Sequence, residues 1–340
     1  MRNINVLHYI VIALLFYGCK ATDVNNNSHI IHDNKYDSEY PTISISKELN
    51  YISKTVKKLD VLAFYSNHYF PVDSNINASM INDSIFIIYS DNATITHESV
   101  SGTASVIYAS NGIIGLLTCA HIIDFKDTVF TYHKTGDQSL RSVSIKIRQQ
   151  NHVSSLEYGE PIEIVAVDKK MDIALLMKKA IPFDQINQVL NIPIGNIKDL
   201  QWGSLVYIMG FPHGNLMVTR AISSITNKMK AGIFVTDALY NHGISGSPVF
   251  AIRDGAPNFE LIGMATSAAA QETNILVADE NIELLSKQKN LYTGDIFIDN
   301  TKLISYGVTY SVAINEIVTF IELNETVLMA NNFDITKFFN

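Results

Sequence analysis

Cysteine is nearly absent from this chain: its 340 residues hold two, Cys19 and Cys119. A small fold stapled by several disulfides is thereby excluded. Clustered positive charge is lacking as well. The 25 Lys and Arg are outnumbered by 33 Asp and Glu, for a net charge of −8. The densest basic run, Lys54 to Lys58, falls on an expected helix and reads as a solvated face. No nucleic-acid partner is expected, because that would need a basic surface. Long apolar runs are missing too. The one from Val6 to Tyr17 falls short of the roughly 20 residues that span a bilayer comfortably. No repeat of fixed period occurs, which excludes a solenoid. What is abundant is hydrophobic residue, 47% against 17% charged, in a length that supports one large or two smaller cores.

The start of the chain has the pattern of an export signal, with Arg2 ahead of the apolar run and Gly18-Cys19 after it. A small residue followed by cysteine resembles a bacterial lipoprotein cleavage site, which would make residues 1–18 the signal and Cys19 the lipidated residue. Plain secretion and an uncleaved anchor are the alternatives, since Phe16, Tyr17 and His8 depart from that pattern. Residues 19–44 are polar and Asn-rich and are expected to be a tether to the membrane. The protein is accordingly expected to be exported and lipid-anchored in the cell envelope.

From Ile45, Leu49, Ile52, Val56 and Leu59 recur at spacings of three and four, which predicts a short amphipathic helix. Strand patterns then dominate: Ser84–Ser90, Thr103–Tyr108, Ile113–Cys119, Thr128–Thr131, Ser142–Arg148, Ile162–Val167, Ile173–Met177, Leu205–Met209, Ile233–Val235, Pro248–Ile252 and Leu261–Ala265. Each is short, β-branched or aromatic, and bounded by turn residues, so an all-β barrel or sandwich is expected. Helical periodicity returns at Asp279–Gln288 and Ala313–Leu323. Residues 45–325 are expected to be one folded region and 326–340 a C-terminal tail.

The stretch Gly243-Ile-Ser-Gly-Ser-Pro248 sets one serine between two glycines. Such a loop can turn backbone N–H groups toward one spot beside a hydroxyl, as acyl transfer requires. A serine needs a base and an acid. His121 follows the apolar strand Leu116–Cys119, and Asp172 directly precedes the apolar run Ile173–Met177. A lone histidine at a strand end or aspartate at a strand start is usually structural. The three together, in the order His121, Asp172, Ser245, are informative. His213 and His242 are rival bases and Asp237 a rival acid. Cys119, in an apolar segment, reads as a buried hydrophobe.

Six pieces carry a family resemblance: Ser101-Gly-Thr-Ala, Thr118-Cys-Ala-His121, Met171-Asp172-Ile-Ala-Leu-Leu, Gly210-Phe-Pro-His-Gly214, Thr236-Asp-Ala238 and Gly243-Ile-Ser245-Gly-Ser-Pro248. In this order they resemble the trypsin-like serine peptidases, with the nearest likeness to the bacterial HtrA/Deg type, over about Ile45 to Leu323. The resemblance implies an all-β fold of two six-stranded antiparallel barrels with a short N-terminal and a C-terminal helix. It also implies a catalytic Ser245, His121 and Asp172, an oxyanion hole from the N–H groups of Gly243 and Ser245, and no metal or organic cofactor. Protein or peptide substrates follow. Leu239 and Thr266 fall in the primary substrate pocket by this likeness, and Leu239 at its base implies cleavage after small or medium apolar residues.

Ile244 stands where the family has Asn, and Ser247 where it has a second Gly. The segment from Ala268 to Thr301 is longer than its counterpart and is expected to form a lid or specificity loop. With seventeen residues after Leu323, the peptide-binding PDZ module that many such proteins carry is not expected. A peptidase-like binding protein that has lost turnover is the alternative function. An esterase with the same triad is disfavoured, because a strand and not a helix is expected after Ser245.

Overall fold

The structure, a computed structural model, describes residues 33–89, 93–133, 138–156, 161–179, 189–225, 232–278 and 296–339. The expected export signal, Cys19 and the helical period at Asp279–Gln288 lie outside the described residues. Among those described, no helix is long and apolar enough to cross a membrane.

Helix α1 (Ser46–Thr55) buries Ile52 and runs directly into strand β1 (Val56–Tyr69). Val56 and Leu59 belong to the strand and not, as their spacing suggested, to the helix. The reason is a change of period: Leu59, Val61, Ala63 and Tyr65 alternate, so one face of a strand buries all four. Residues 84–89, expected as a strand, are helix α2 (Asp83–Tyr89). Asn82 starts it, its side-chain oxygen accepting from the Ile85 N–H at 3.1 Å, and the backbone then has no need of a sheet partner.

The next elements are β2 (Thr94–Ser110), β3 (Ile113–Thr118), the single helical turn α3 (Ala120–Ile123), β4 (Thr128–Tyr132), β5 (Leu140–Val153), β6 (Glu163–Asp168) and β7 (Ile173–Lys179). The first sheet runs β4-β5-β1-β2-β3-β7-β6, antiparallel throughout. Every residue of β3 is buried, which accounts for its unbroken apolar run. Then come β8 (Leu205–Gly210), β9 (Met217–Ile225), β10 (Ile233–Thr236), β11 (Pro248–Ile252), β12 (Phe259–Ala278) and β13 (Ile296–Ala313). These close into a six-stranded barrel in the order β10-β13-β12-β11-β8-β9. The all-β architecture and its second six-stranded barrel are as the sequence led one to expect. The first differs from the expected barrel: among the described residues it is a seven-stranded sheet with β4 and β6 at its edges, β4 pairing with the long β5 and widening it.

One apolar cluster fills the first sheet and reaches Tyr207, Phe250, Phe259 and Met264 of the barrel; a second fills the barrel itself. The two sheets therefore meet across buried side chains, and the loops at that junction are held from both sides.

Both ends of the described chain are more ordered than expected. Residues 33–44, assigned to the tether, are part of the fold. Tyr36 is buried, its phenol donating to Glu260 at 2.7 Å and accepting from the Asn196 N–H at 2.8 Å. The Arg253 guanidinium lies 4.2 Å over the Tyr36 ring and donates to the Asn34 carbonyl at 2.6 Å. One aromatic outweighs the polar composition around it.

Residues 326–339, expected as a tail, are likewise structured. Helix α4 (Ile314–Leu323) leads into α5 (Glu325–Ala330), after which Phe333 and Phe338 each sit 4.9 Å from the Tyr108 ring. The Asp334 N–H donates to the Tyr108 phenol at 3.0 Å.

The segment from Ala268 onward extends β12 and β13 as a two-stranded ribbon. Its pairing runs from Gly263↔Ala313 out to Ala278↔Ile296, with bulges near Ala265–Ala270.

Candidate active site

His121, Asp172 and Ser245 come together at the junction of the two sheets. β3 ends at Thr118, whose hydroxyl donates to the Thr103 carbonyl at 2.7 Å, and α3 then turns His121 outward. Asp172 sits at φ +60 in the tight turn before β7, which Asp168 shapes by accepting from the Lys170 and Met171 N–H groups at 2.8 and 3.0 Å. Both oxygens of Asp172 are engaged by one residue. Oδ1 accepts from the His121 backbone N–H at 2.9 Å and Oδ2 faces His121 Nδ1 at 2.7 Å. A carboxylate is an acceptor only, so this contact places the ring proton on Nδ1 and leaves Nε2 as the acceptor in the neutral ring. Nε2 lies 3.0 Å from Ser245 Oγ.

The serine loop has the shape its glycines permit. Gly243 lies at φ +101, and a Cβ there would meet the Phe211 carbonyl oxygen at 2.2 Å. Gly246 lies at φ +85 with Thr103 O at 2.0 Å from such a Cβ. Only glycine fits either place. Backbone carbonyls anchor the loop: His242 O accepts from His213 N at 2.9 Å, and Ser245 O from Thr103 N at 2.8 Å. Thr103 Oγ1 donates to Gly243 O at 2.7 Å and accepts from Phe211 N at 3.0 Å, tying the loop to the turn after β8. A trans peptide points its C=O and N–H in opposite directions. With the His242 carbonyl bonded to His213, the Gly243 N–H faces away from that turn. Among the described residues, neither the Gly243 nor the Ser245 N–H has a hydrogen-bond partner. They are the donors left over once the loop is anchored.

The rival residues are occupied elsewhere. Asp237 accepts from the Ile222 N–H at 2.7 Å and serves the barrel. His213, at φ +51, and His242 line a cleft of about 450 Å³ with Lys58, Ser99 and Ser101, beside the serine loop and not on Ser245.

Leu239 needs correction. Its side chain is 62% exposed and forms no pocket base beside Ser245. Its neighbour Tyr240 turns inward instead, because the barrel core takes up its ring. The Tyr240 hydroxyl makes a short hydrogen bond with Ser245 Oγ and lies 3.3 Å from the Thr266 carbonyl. Burial pushes the phenol up to about 12, with the Ser245 contact working in the opposite direction. Thr266 is at the site through its backbone: its carbonyl lies 3.0 Å from Ser245 Oγ, a rival to His121 Nε2 for the hydroxyl proton, while its own hydroxyl donates to the Tyr310 carbonyl at 3.2 Å.

Sequence reasoning missed Tyr240 and Thr103 as site residues. Tyr240 opens the Gly-Ser loop stretch, but nothing in a sequence says which of residues 239 and 240 points inward.

Donor atoms of Cys119, His121 and Asp172 lie within 4.8 Å of one another. They are poorly suited to a metal. Burial, followed by the Asp172 charge, pushes the Cys119 thiol well above its ordinary value, so it stays protonated, and His121 and Asp172 already bind each other.

Residues 102–264 match a family model described as a trypsin-like peptidase domain. No curated protein matches the chain. Among solved structures, the serine endoprotease from Yersinia pestis is similar over 84% of this chain and 68% of that one, at 18% identity and a TM-score of 0.40.

Proposed function

Starting from a chain whose residues 102–264 match the model of a trypsin-like peptidase domain, we propose that it is a serine endopeptidase working through His121, Asp172 and Ser245. The observation that carries this reading is the continuous chain Asp172 Oδ2–His121 Nδ1 at 2.7 Å and His121 Nε2–Ser245 Oγ at 3.0 Å, with two unpaired N–H groups next to the serine.

Ser245 Oγ bonds to the carbonyl carbon of a peptide as its proton passes to His121 Nε2. Asp172 stabilises the imidazolium that results. The carbonyl oxygen takes up the negative charge and is held by the Gly243 and Ser245 N–H groups, each donor worth about 3–4 kcal/mol in the transition state. The C–N bond then breaks, and His121 returns the proton to the leaving amine. Water, deprotonated by the same imidazole, attacks the acyl-serine; the Oγ–C bond breaks and the proton goes back to Ser245. The substrates are proteins or peptides; the apolar preference expected from Leu239 loses its basis with that residue turned outward. The place of action is outside the cytoplasm, with the chain held to a membrane through a lipid on Cys19. That last part rests on the sequence pattern around Gly18-Cys19 alone.

The crowding of Ser245 Oγ by Tyr240 favours a second reading, a binding protein without turnover. Covalent labelling separates the two. The full-length chain is treated with a fluorophosphonate beside Ser245→Ala and His121→Ala, and casein digestion is followed in parallel. The peptidase reading expects labelling and digestion by the wild type only. A folded wild type that neither labels nor digests, with or without added peptide, would leave the binding protein.

A further inference from the structure

The environment of Ser245 Oγ has a consequence for access to the nucleophile, and it rests on the peptidase reading above. Besides its bond to Cβ, this oxygen has three polar neighbours: His121 Nε2 at 3.0 Å, the Thr266 carbonyl at 3.0 Å and the Tyr240 hydroxyl, which is the tightest contact. A hydroxyl oxygen has one proton to give and two lone pairs. Nε2 and the Thr266 oxygen compete for that one proton while the phenol stands against a lone pair, so the oxygen is crowded on three sides and an incoming carbonyl carbon, which must come within about 3–3.5 Å to react, has to displace a neighbour.

Proton bookkeeping singles out Tyr240 as the group that blocks attack. His121 carries its proton on Nδ1 toward Asp172, so Nε2 accepts and the Ser245 proton belongs on it. The Thr266 oxygen has no proton to give. The Tyr240 phenol, kept protonated by burial, is the donor left, and it donates into the Ser245 lone pair that would attack. A lone pair engaged in this way is a poorer nucleophile, and the phenol oxygen fills its direction of approach.

The alternatives for movement are unequal. Thr266 is backbone at a bulge of β12, held between Ala265 and Ser267, which pair with Ser311 and Tyr310 of β13, and by its own hydroxyl on the Tyr310 carbonyl. Tyr240 Oη already lies 3.3 Å from the Thr266 carbonyl, so a small tilt moves its hydrogen bond from serine to carbonyl without leaving the phenol unpaired.

We propose that Tyr240 gates the nucleophile: its hydroxyl caps Ser245 Oγ, and an acyl group reaches the serine only by displacing it toward Thr266. Removing the hydroxyl while keeping the ring uncaps Oγ and leaves the barrel core filled. Tyr240→Phe therefore raises the rate of attack on an electrophile, an effect that damage to the fold does not produce.

The test is the second-order rate of labelling of the full-length chain by a short-alkyl fluorophosphonate, in the wild type, Tyr240→Phe, Ser245→Ala and the Tyr240→Phe/Ser245→Ala double variant, with thermal melts of each. The gate expects Tyr240→Phe to label at least tenfold faster than the wild type, and neither Ser245→Ala protein to label. If Tyr240→Phe does not melt cooperatively, Tyr240→Met, which also lacks the hydroxyl, takes its place with the same expectation. Equal or slower labelling of an uncapped variant, with wild type labelled at Ser245, overturns the gate and leaves the peptidase reading standing. Absence of labelling in folded wild type and folded uncapped variant overturns both.

Discussion

Gly243 does two things that no other residue can do at that place. It holds φ at +101, and its missing Cβ lets the loop lie against the Phe211 carbonyl. An alanine there would bring together left-handed strain and a 2.2 Å clash with backbone, which cannot swing aside as a side chain would. The two add to about 2–5 kcal/mol. Gly243→Ala is therefore expected to melt earlier and to label at Ser245 at least ~100-fold more slowly, because its N–H leaves the position of an oxyanion donor. A Gly243→Ala protein that labels at the wild-type rate would remove Gly243 from the proposed oxyanion hole. Residue identity was enough to mark this glycine and Ser245 in the sequence, since a Gly-x-Ser-Gly run has few uses. It was not enough for Thr103, whose hydroxyl bridges Gly243 O and Phe211 N across 140 and 108 residues of chain.

At the scale of elements, the β12–β13 ribbon takes up the segment that the sequence singled out as long. Its base belongs to the closed barrel and carries Thr266 to Ser245, while its outer part exposes Leu276, Ile298 and Leu303. Exposed side chains add little to stability, and the pair Ala270↔Ile304 offers a place to close the hairpin with a tight Asn-Gly turn. Replacing residues 271–303 by that turn should leave the melting temperature nearly unchanged. If the ribbon is the lid or specificity element its length suggested, peptide-library cleavage will show an altered preference; an unaltered preference ends that idea. Strands here were legible where a short unbroken apolar run lay between turn residues, as in β3, β7, β8 and β11. They were misread where a short β-branched run found a local cap, as Asn82 gives α2.

For the whole molecule, the described N-terminal segment works as a latch. Tyr36 and Arg253 join residues 33–37 to β11, β12 and the turn at Asn196–Asp199, with Arg253 also paired to Glu260 at 2.8 Å and Asp199 at 3.1 Å. A chain begun at residue 45, where the helical pattern starts, would lose the Tyr36 ring and leave Glu260 and Arg253 rearranged in a half-open slot. A chain begun at residue 33 would keep them. The shorter protein should be less stable than the longer by about 3–5 kcal/mol, the usual cost of deleting a buried aromatic, as read from urea denaturation. Equal midpoints would show that the latch contributes nothing.

The amino-acid sequence by itself determined the all-β class, the glycine-framed Ser245, and the placing of His121 and Asp172 at strand ends. Each of these depends on local chemistry: short β-branched or aromatic runs, turn residues, and backbone angles that only glycine adopts. Tertiary structure alone decided the rest. The side of the chain on which Leu239 and Tyr240 lie, the seventh strand of the first sheet, the seating of Tyr36 and the packing of Phe333 and Phe338 on Tyr108 all depend on partners tens to hundreds of residues away. Burial and hydrogen bonding between such partners exist only once the chain has closed on itself, so no window of sequence contains them.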